Sequence, residues 1–113
     1  MLDDVASVTL STALSALAAR QRVSANNIAN IETPNFRASQ VSFEDDLRRA
    51  VAAGDPAQAG VTVTASTDPA GINGNNVNLD TETLTDEKTA LQYQLLSGAM
   101  SSKFALIDTV LRG

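Results

Sequence analysis

Helix-period apolar residues occupy both ends of this chain, and the C-terminal run carries two apolar stripes where a helix in a small isolated domain needs one. Between Val5 and Ile31, Leu10, Leu14, Leu17, Gln21, Ser24, Ile28 and Ile31 recur at steps of four and three, an a/d-type seam. A row of small residues (Ala6, Ala13, Ala16) leading to Val23 runs beside it and lets another backbone approach closely. Between Asp80 and Arg112, one stripe is Leu84, Leu91, Leu95, Ala99, Ser102 and Leu106. The second is Tyr93, Leu96, Met100, Phe104, Ile107 and Leu111. An antiparallel partner helix hides one stripe only. The other, on the order of several hundred Å2, stays wet, which is large for a monomer. At ~25 cal/mol per Å2 its burial is worth roughly 10 kcal/mol before entropy costs. The chain is therefore expected to fold fully only within an assembly.

The 113 residues fit one domain. The expected fold is mainly α, an antiparallel hairpin of long N- and C-terminal helices (residues 1–32 and 80–113), each about 50 Å long at about 1.5 Å per residue. Between them lies a middle segment, 33–79, irregular and weakly β. Pro34 ends the first helix, because its ring disfavours the α conformation at Thr33. Ser42-Phe43-Glu44-Asp45 reads as a capping-box-like start for a short helix over about 43–53, closed by Gly54-Asp55-Pro56. Val61-Thr62-Val63-Thr64 alternates like one short strand, and Asn73-Gly74-Asn75-Asn76 signals a turn. A lone strand does not stabilise itself, so this middle is expected to be mobile or ordered by neighbours.

Composition removes several functional classes. Three Phe, one Tyr and no Trp leave Ala, Leu and Val to build the interior, which suits helix-on-helix packing. Net charge is −5 with eight scattered basic residues, whereas nucleic-acid binding needs a basic patch. With neither Cys nor His, thiolate sites, His-containing metal sites and Ser-His-Asp triads are absent. Glu44, Asp45 and Asp46 are adjacent, so on a helix they converge poorly on one ion. Asn73 to Asp80 lacks the acidic spacing of a calcium loop. No catalytic residue, cofactor or metal is expected, and no apolar run is long enough to span a bilayer. The acidic opening Met1-Leu2-Asp3-Asp4 differs from a basic secretory leader, so export, if any, is expected by another route.

"SANNIANIETPNFRA", Ser24 to Ala38, concentrates amides where helix propensity argues against them. Asn26 and Asn30 lie one turn apart on one face, with Asn27 expected to point aside. Asparagine donates and accepts, so it either binds a neighbouring backbone or closes a turn. This stretch resembles the N-terminal signature of the bacterial flagellar axial proteins, the rod, hook and hook-associated family. The asparagine core is Asn26 to Asn30, followed by Thr33, Asn35 and Phe36, with Asn35 standing where many axial proteins have Gly. Within the family, the short length and the segments "FRASQVSFEDDL", "NGNNVNLDTE" and "LQYQLLSGAMSSKFALIDTVLRG" are similar to a proximal rod protein. Thr81, Thr83 and Thr85 replace acidic and amide residues common there.

The resemblance implies a structural subunit whose terminal helices pair and pack side by side in a tube. The tube carries torque across the periplasm and encloses the export channel, and its subunits leave through the flagellar type III apparatus without a cleaved signal. It implies, as partners, copies of the chain, other rod proteins, and membrane-ring and export-gate adaptor components at the rod base. Subunit packing is expected at Leu10, Leu14 and Leu17, and at the helix end and turn through Asn26, Asn27, Ile28, Asn30, Thr33, Pro34 and Phe36. On the second helix it is expected at Leu91, Leu95 and the Tyr93, Leu96, Met100, Phe104, Ile107, Leu111 stripe. Replacing Asn26, Asn27 and Asn30 by Ala is expected to stabilise the isolated helix and weaken assembly. The alternatives are another proximal rod component, whose ending carries Arg, an aromatic and Asn, or a secreted helical-hairpin adaptor or chaperone.

Overall fold

The computed structural model describes residues 4–112, and of Ile107 and Arg112 the backbone alone. Helix α1 spans Val5–Ala29, strand β1 Ser39–Ser42, helix α2 Glu44–Ala52, strand β2 Thr62–Ala65 and helix α3 Leu79–Arg112; a single 3-10 turn covers Pro56–Gln58. The molecule measures 64 × 26 × 14 Å. Both long helices begin on a side-chain cap, which occupies an otherwise orphan backbone donor. Asp4 Oδ1 accepts the Ser7 N–H at 2.8 Å, and Asn78 Oδ1 accepts the Thr81 N–H at 3.1 Å.

Helices α1 and α3 run antiparallel. The Lys103 ammonium meets Asp4 at 2.8 Å at one end, and the Ser24 hydroxyl donates to Glu82 at 2.8 Å at the other. The face that α3 turns toward α1 is Glu82, Thr89, Leu96 and Lys103, spaced by seven, and it is more polar than either apolar stripe. Ala13, Ala16, Leu17 and Phe43 form the buried cluster, with Val41, Leu47 and Leu96 packed against it. Leu17 is 1% exposed. Small alanines on α1 leave room for Phe43 and Leu96 in one cluster.

The middle segment is ordered by its own chain. β2 pairs antiparallel with β1, Ser39 opposite Ala65 and Ser42 opposite Thr62. The sequence pattern had marked only Val61–Thr64, because Ser39-Gln40-Val41-Ser42 looks like a polar loop. The short helix starts at Glu44 with Phe43 as its N-cap and no side-chain cap; the Ser42 capping box does not form. Glu44 itself accepts the Phe43 N–H at 3.2 Å. α1 ends at Ala29, two residues before Ile31, where Asn30 leaves the helical conformation.

Gly74 takes φ +80° against Asn35, which itself sits at φ 63°. A β-carbon at Gly74 would overlap the Asn35 side chain and approach its Cα to 3.2 Å. Gly74→Ala is expected to lower stability by about 1–3 kcal/mol, from positive-φ strain and this overlap. Urea denaturation checks it, with Gly98→Ala as the control: it meets nothing within 4 Å and should stabilise α3.

Candidate functional site: an amide-stapled hairpin end and an open helix face

Three asparagine side chains act as detached peptide groups at the hairpin end. Asn27, 1% exposed, accepts the Ser39 N–H at 3.0 Å, donates to the Ser39 carbonyl at 2.8 Å and donates to Glu82 at 2.9 Å. It thereby replaces the missing neighbour strand of β1 and ties β1 to both long helices. Asn75 Nδ2 donates at 2.8 Å to the carbonyls of Asn30 and Thr33, closing the C-terminus of α1. Asn76 accepts the Ala38 N–H at 2.6 Å and donates to the Ser66 and Asp68 carbonyls at 3.2 Å. Backbone bonds from Asn35 N–H to the Asn73 carbonyl and from Asn76 N–H to the Phe36 carbonyl complete the closure.

Arg20, two turns before Asn27 on α1, donates to the Val41 carbonyl at 2.8 Å, pairs with Glu44 at 2.7 Å and lies 4.8 Å from the Phe43 ring centroid. Its hydrogen bond holds the Glu44 carboxyl at about 2, well below the ordinary 4.5. The Lys103 and Ser7 hydrogen bonds hold Asp4 at about 2 as well. Asp45 and Asp46 pair with Arg48 and Arg49, so the acidic run is neutralised one residue at a time. A groove of roughly 330 Å3 lies between α1, β1 and the start of α3, lined by Arg20, Ser24, Asn27, Glu82 and Lys88 among others. Most of these polar groups are consumed in holding the fold.

The outer face of α3 is a different surface. Leu91 is 58% exposed, and Leu95 and Leu106 are each 65% exposed. Leu84, Ala99 and Ser102 are exposed with them, so the whole first stripe has no cover among the described residues. No helix among the described residues is long and apolar enough to cross a membrane.

Residues 9–37, which contain the amide-rich end of α1, match the family model described as flagella basal body rod protein. Flagellar basal body rod protein FlgB of Bacillus subtilis (strain 168) is 36% identical over 118 residues, covering 92% of this chain and 91% of the relative. This chain belongs to the FlgB family. FlgB of Borreliella burgdorferi and FlgB of Escherichia coli (strain K12) are each 29% identical over 121 residues and 88% of this chain, covering 90% and 88% of those relatives. The chain is thus a structural subunit of the flagellar basal-body rod.

The FlgB-type signature divides into inward and outward parts. Asn27, expected to point aside, is its buried member, and Leu17 lies in the chain's own core. Leu10, Leu14, Ile28, Asn30 and Phe36 are half-buried, while Asn26, Thr33 and Pro34 are exposed. Asn30 donates to the Asn26 carbonyl at 2.8 Å and accepts from the Thr33 hydroxyl at 3.1 Å. On α3, Leu96 and Met100 are half-buried and Tyr93, Phe104 and Leu111 exposed; the Ile107 side chain lies outside the described residues. Sequence reasoning gave no role to Arg20, Glu82 or Thr89, and read Asn75 and Asn76 only as part of a turn. The seven-residue spacing of Glu82, Thr89, Leu96 and Lys103 was the available signal.

Triple replacement of the asparagines therefore removes a fold contact as well as helix-weakening amides. Asn27→Ala is expected to cost about 1–3 kcal/mol by removing the partner of the half-buried Ser39 groups and of buried Glu82, while Asn26→Ala stays within about 0.5 kcal/mol; denaturant midpoints separate them. Because both lowered carboxyls favour the charged form when folded, their stabilisation is full above about pH 4.5 and fades as pH falls towards 2. Arg20→Met should flatten the Glu44 part of that fall, at most about 1 kcal/mol at so exposed a pair, read from melting temperature against pH.

Proposed function

We propose that the chain builds the proximal part of the rod, transmits torque across the periplasm and helps enclose the export channel. Its partners in this reading are copies of itself, other rod proteins, and membrane-ring and export-gate adaptor components at the rod base. It travels through the flagellar type III apparatus without a cleaved signal peptide. Leu91, Leu95, Leu106 and the exposed Tyr93, Phe104 and Leu111 carry subunit packing, together with Asn26, Thr33 and Pro34 at the hairpin end.

The observation that supports this reading best is the uncovered leucine stripe of α3. Apolar patches of several hundred Å2 on a small chain mark contact with another macromolecule. A hairpin rigid at one end and apolar along its outer face suits side-by-side packing in a tube. In a motile bacterium lacking its own FlgB, the wild-type chain is expected to restore rods and swimming. Leu95→Glu with Leu106→Glu should keep the circular dichroism of the purified chain and restore neither. Normal swimming by that variant would overturn the packing role of the stripe.

A further inference from the structure

The outward surfaces of the two long helices are complementary in size. On α1, Ser11, Ser15, Ala18, Arg22, Ala25 and Ala29 recur at steps of four and three, and all but the half-buried Ala18 are exposed. They make a shallow, small-residue channel interrupted by one arginine. On α3, Leu84, Glu87, Leu91, Leu95 and Gly98 form the outward row, and the leucines among them are exposed. They make a ridge of knobs interrupted by one glutamate. Among the described residues neither Arg22 nor Glu87 enters an ion pair, although Arg20, Arg48, Arg49 and Lys103 all do. Gly98 has no explanation inside the chain, since an added β-carbon there would meet nothing within 4 Å.

Resting on the rod reading above, we propose that the leucine ridge of α3 seats in the small-residue channel of α1 of a second copy. The helices run antiparallel, with Leu84 over Ala25, Glu87 against Arg22, Leu91 over Ala18, Leu95 over Ser15 and Gly98 at Ser11. Antiparallel register requires the paired residue numbers to share one total, and these five pairs do so within one residue. The same rule applied to the intrachain pairs Asp4–Lys103 and Ser24–Glu82 gives totals lower by two or three. The second copy's α3 is therefore offset from the first's by less than one turn of about 5.4 Å. Neighbours sit side by side at nearly equal height.

Two consequences follow from the chemistry of the faces. The contact is heterologous, ridge to channel, so every copy offers one of each and the contact repeats instead of closing on a pair. A seam of this length, about 21 Å along α1, falls well short of the roughly 800 Å2 per partner of a stable two-protein interface. A single pair is thus weak, and only copies engaged on both sides are held. The Arg22–Glu87 pair fixes register, which an all-leucine ridge on a smooth channel would leave free to slide.

The absence of cysteine makes the test direct. Ala18→Cys with Leu91→Cys is introduced into the full chain, and rods are allowed to form in a bacterium lacking its own FlgB. Oxidised basal bodies should give a ladder of dimers, trimers and larger multimers of this chain. Ala25→Cys with Leu91→Cys, two turns out of register, should give none, and either single cysteine should give no ladder. Arg22→Glu should lose the ladder of the Ala18–Leu91 pair, and adding Glu87→Arg should return it. Rods that assemble without any in-register ladder, or in which the Leu91→Cys thiol links to a different protein, would overturn the seam and leave the rod role standing. Failure of the wild-type chain to enter rods at all would remove both.

Discussion

The bond set centred on Asn27 is the contact on which the other elements depend. One amide satisfies both backbone groups of Ser39 and one oxygen of Glu82, while Ser24 satisfies the other. β1 has a helix instead of a strand on its inner side, so its half-buried Ser39 groups would otherwise lack these partners. With Ser39 so engaged, the ladder alternation assigns the β1–β2 hydrogen bonds to Gln40 and Ser42, opposite Thr64 and Thr62. Arg20 closes the same edge two residues further on at Val41. Helix residues seven apart thus finish a two-stranded sheet too small to stand alone.

This polar closure leaves an uneven molecule. The hairpin end is pinned by amides, a positive-φ turn at Asn35 and Gly74, and the Leu17–Phe43 cluster. Towards the far end α3 has α1 on one side only, and past Lys103 it continues beyond the Asp4 contact. There, side chains such as Phe104, Leu106 and Leu111 are exposed. A rod subunit benefits from that division: the rigid end sets a fixed angle between helices, and the uncovered length supplies surface for packing. The energy missing from the lone chain is recovered on stacking, the ordinary linkage between assembly and folding.

The long helices were legible because periodicity over many turns is a strong local signal. The short helix was legible from its acidic start and Gly-Asp-Pro stop, and the β2 strand from its alternation, each within a residue or two. β1 was not, since a four-residue strand of Ser, Gln and Val acquires its identity from Thr62–Ala65 and from Asn27. The amide cluster was recognisable as something other than helix stabilisation, yet the partners of Asn27 lie 12 and 55 residues away in the chain. Local reasoning therefore placed Asn27 on the wrong side of the helix problem, facing outward instead of in. The polar stripe Glu82, Thr89, Leu96 and Lys103 was overlooked because leucine stripes of equal spacing surround it. In this chain Leu84, Leu91, Leu95 and Leu106 are the outer surface, and the row through Leu96 is the inner one.

The claim that one end is self-sufficient while the α3 face needs a neighbour is tested most directly by amide hydrogen exchange on the isolated, dilute chain. The account predicts slow exchange in α1 from Leu17 to Asn27, in β1 and in α3 from Glu82 to Thr89, with exchange orders of magnitude faster past Leu96. Uniform, cooperative protection reaching Leu111, unchanged on dilution, would contradict it.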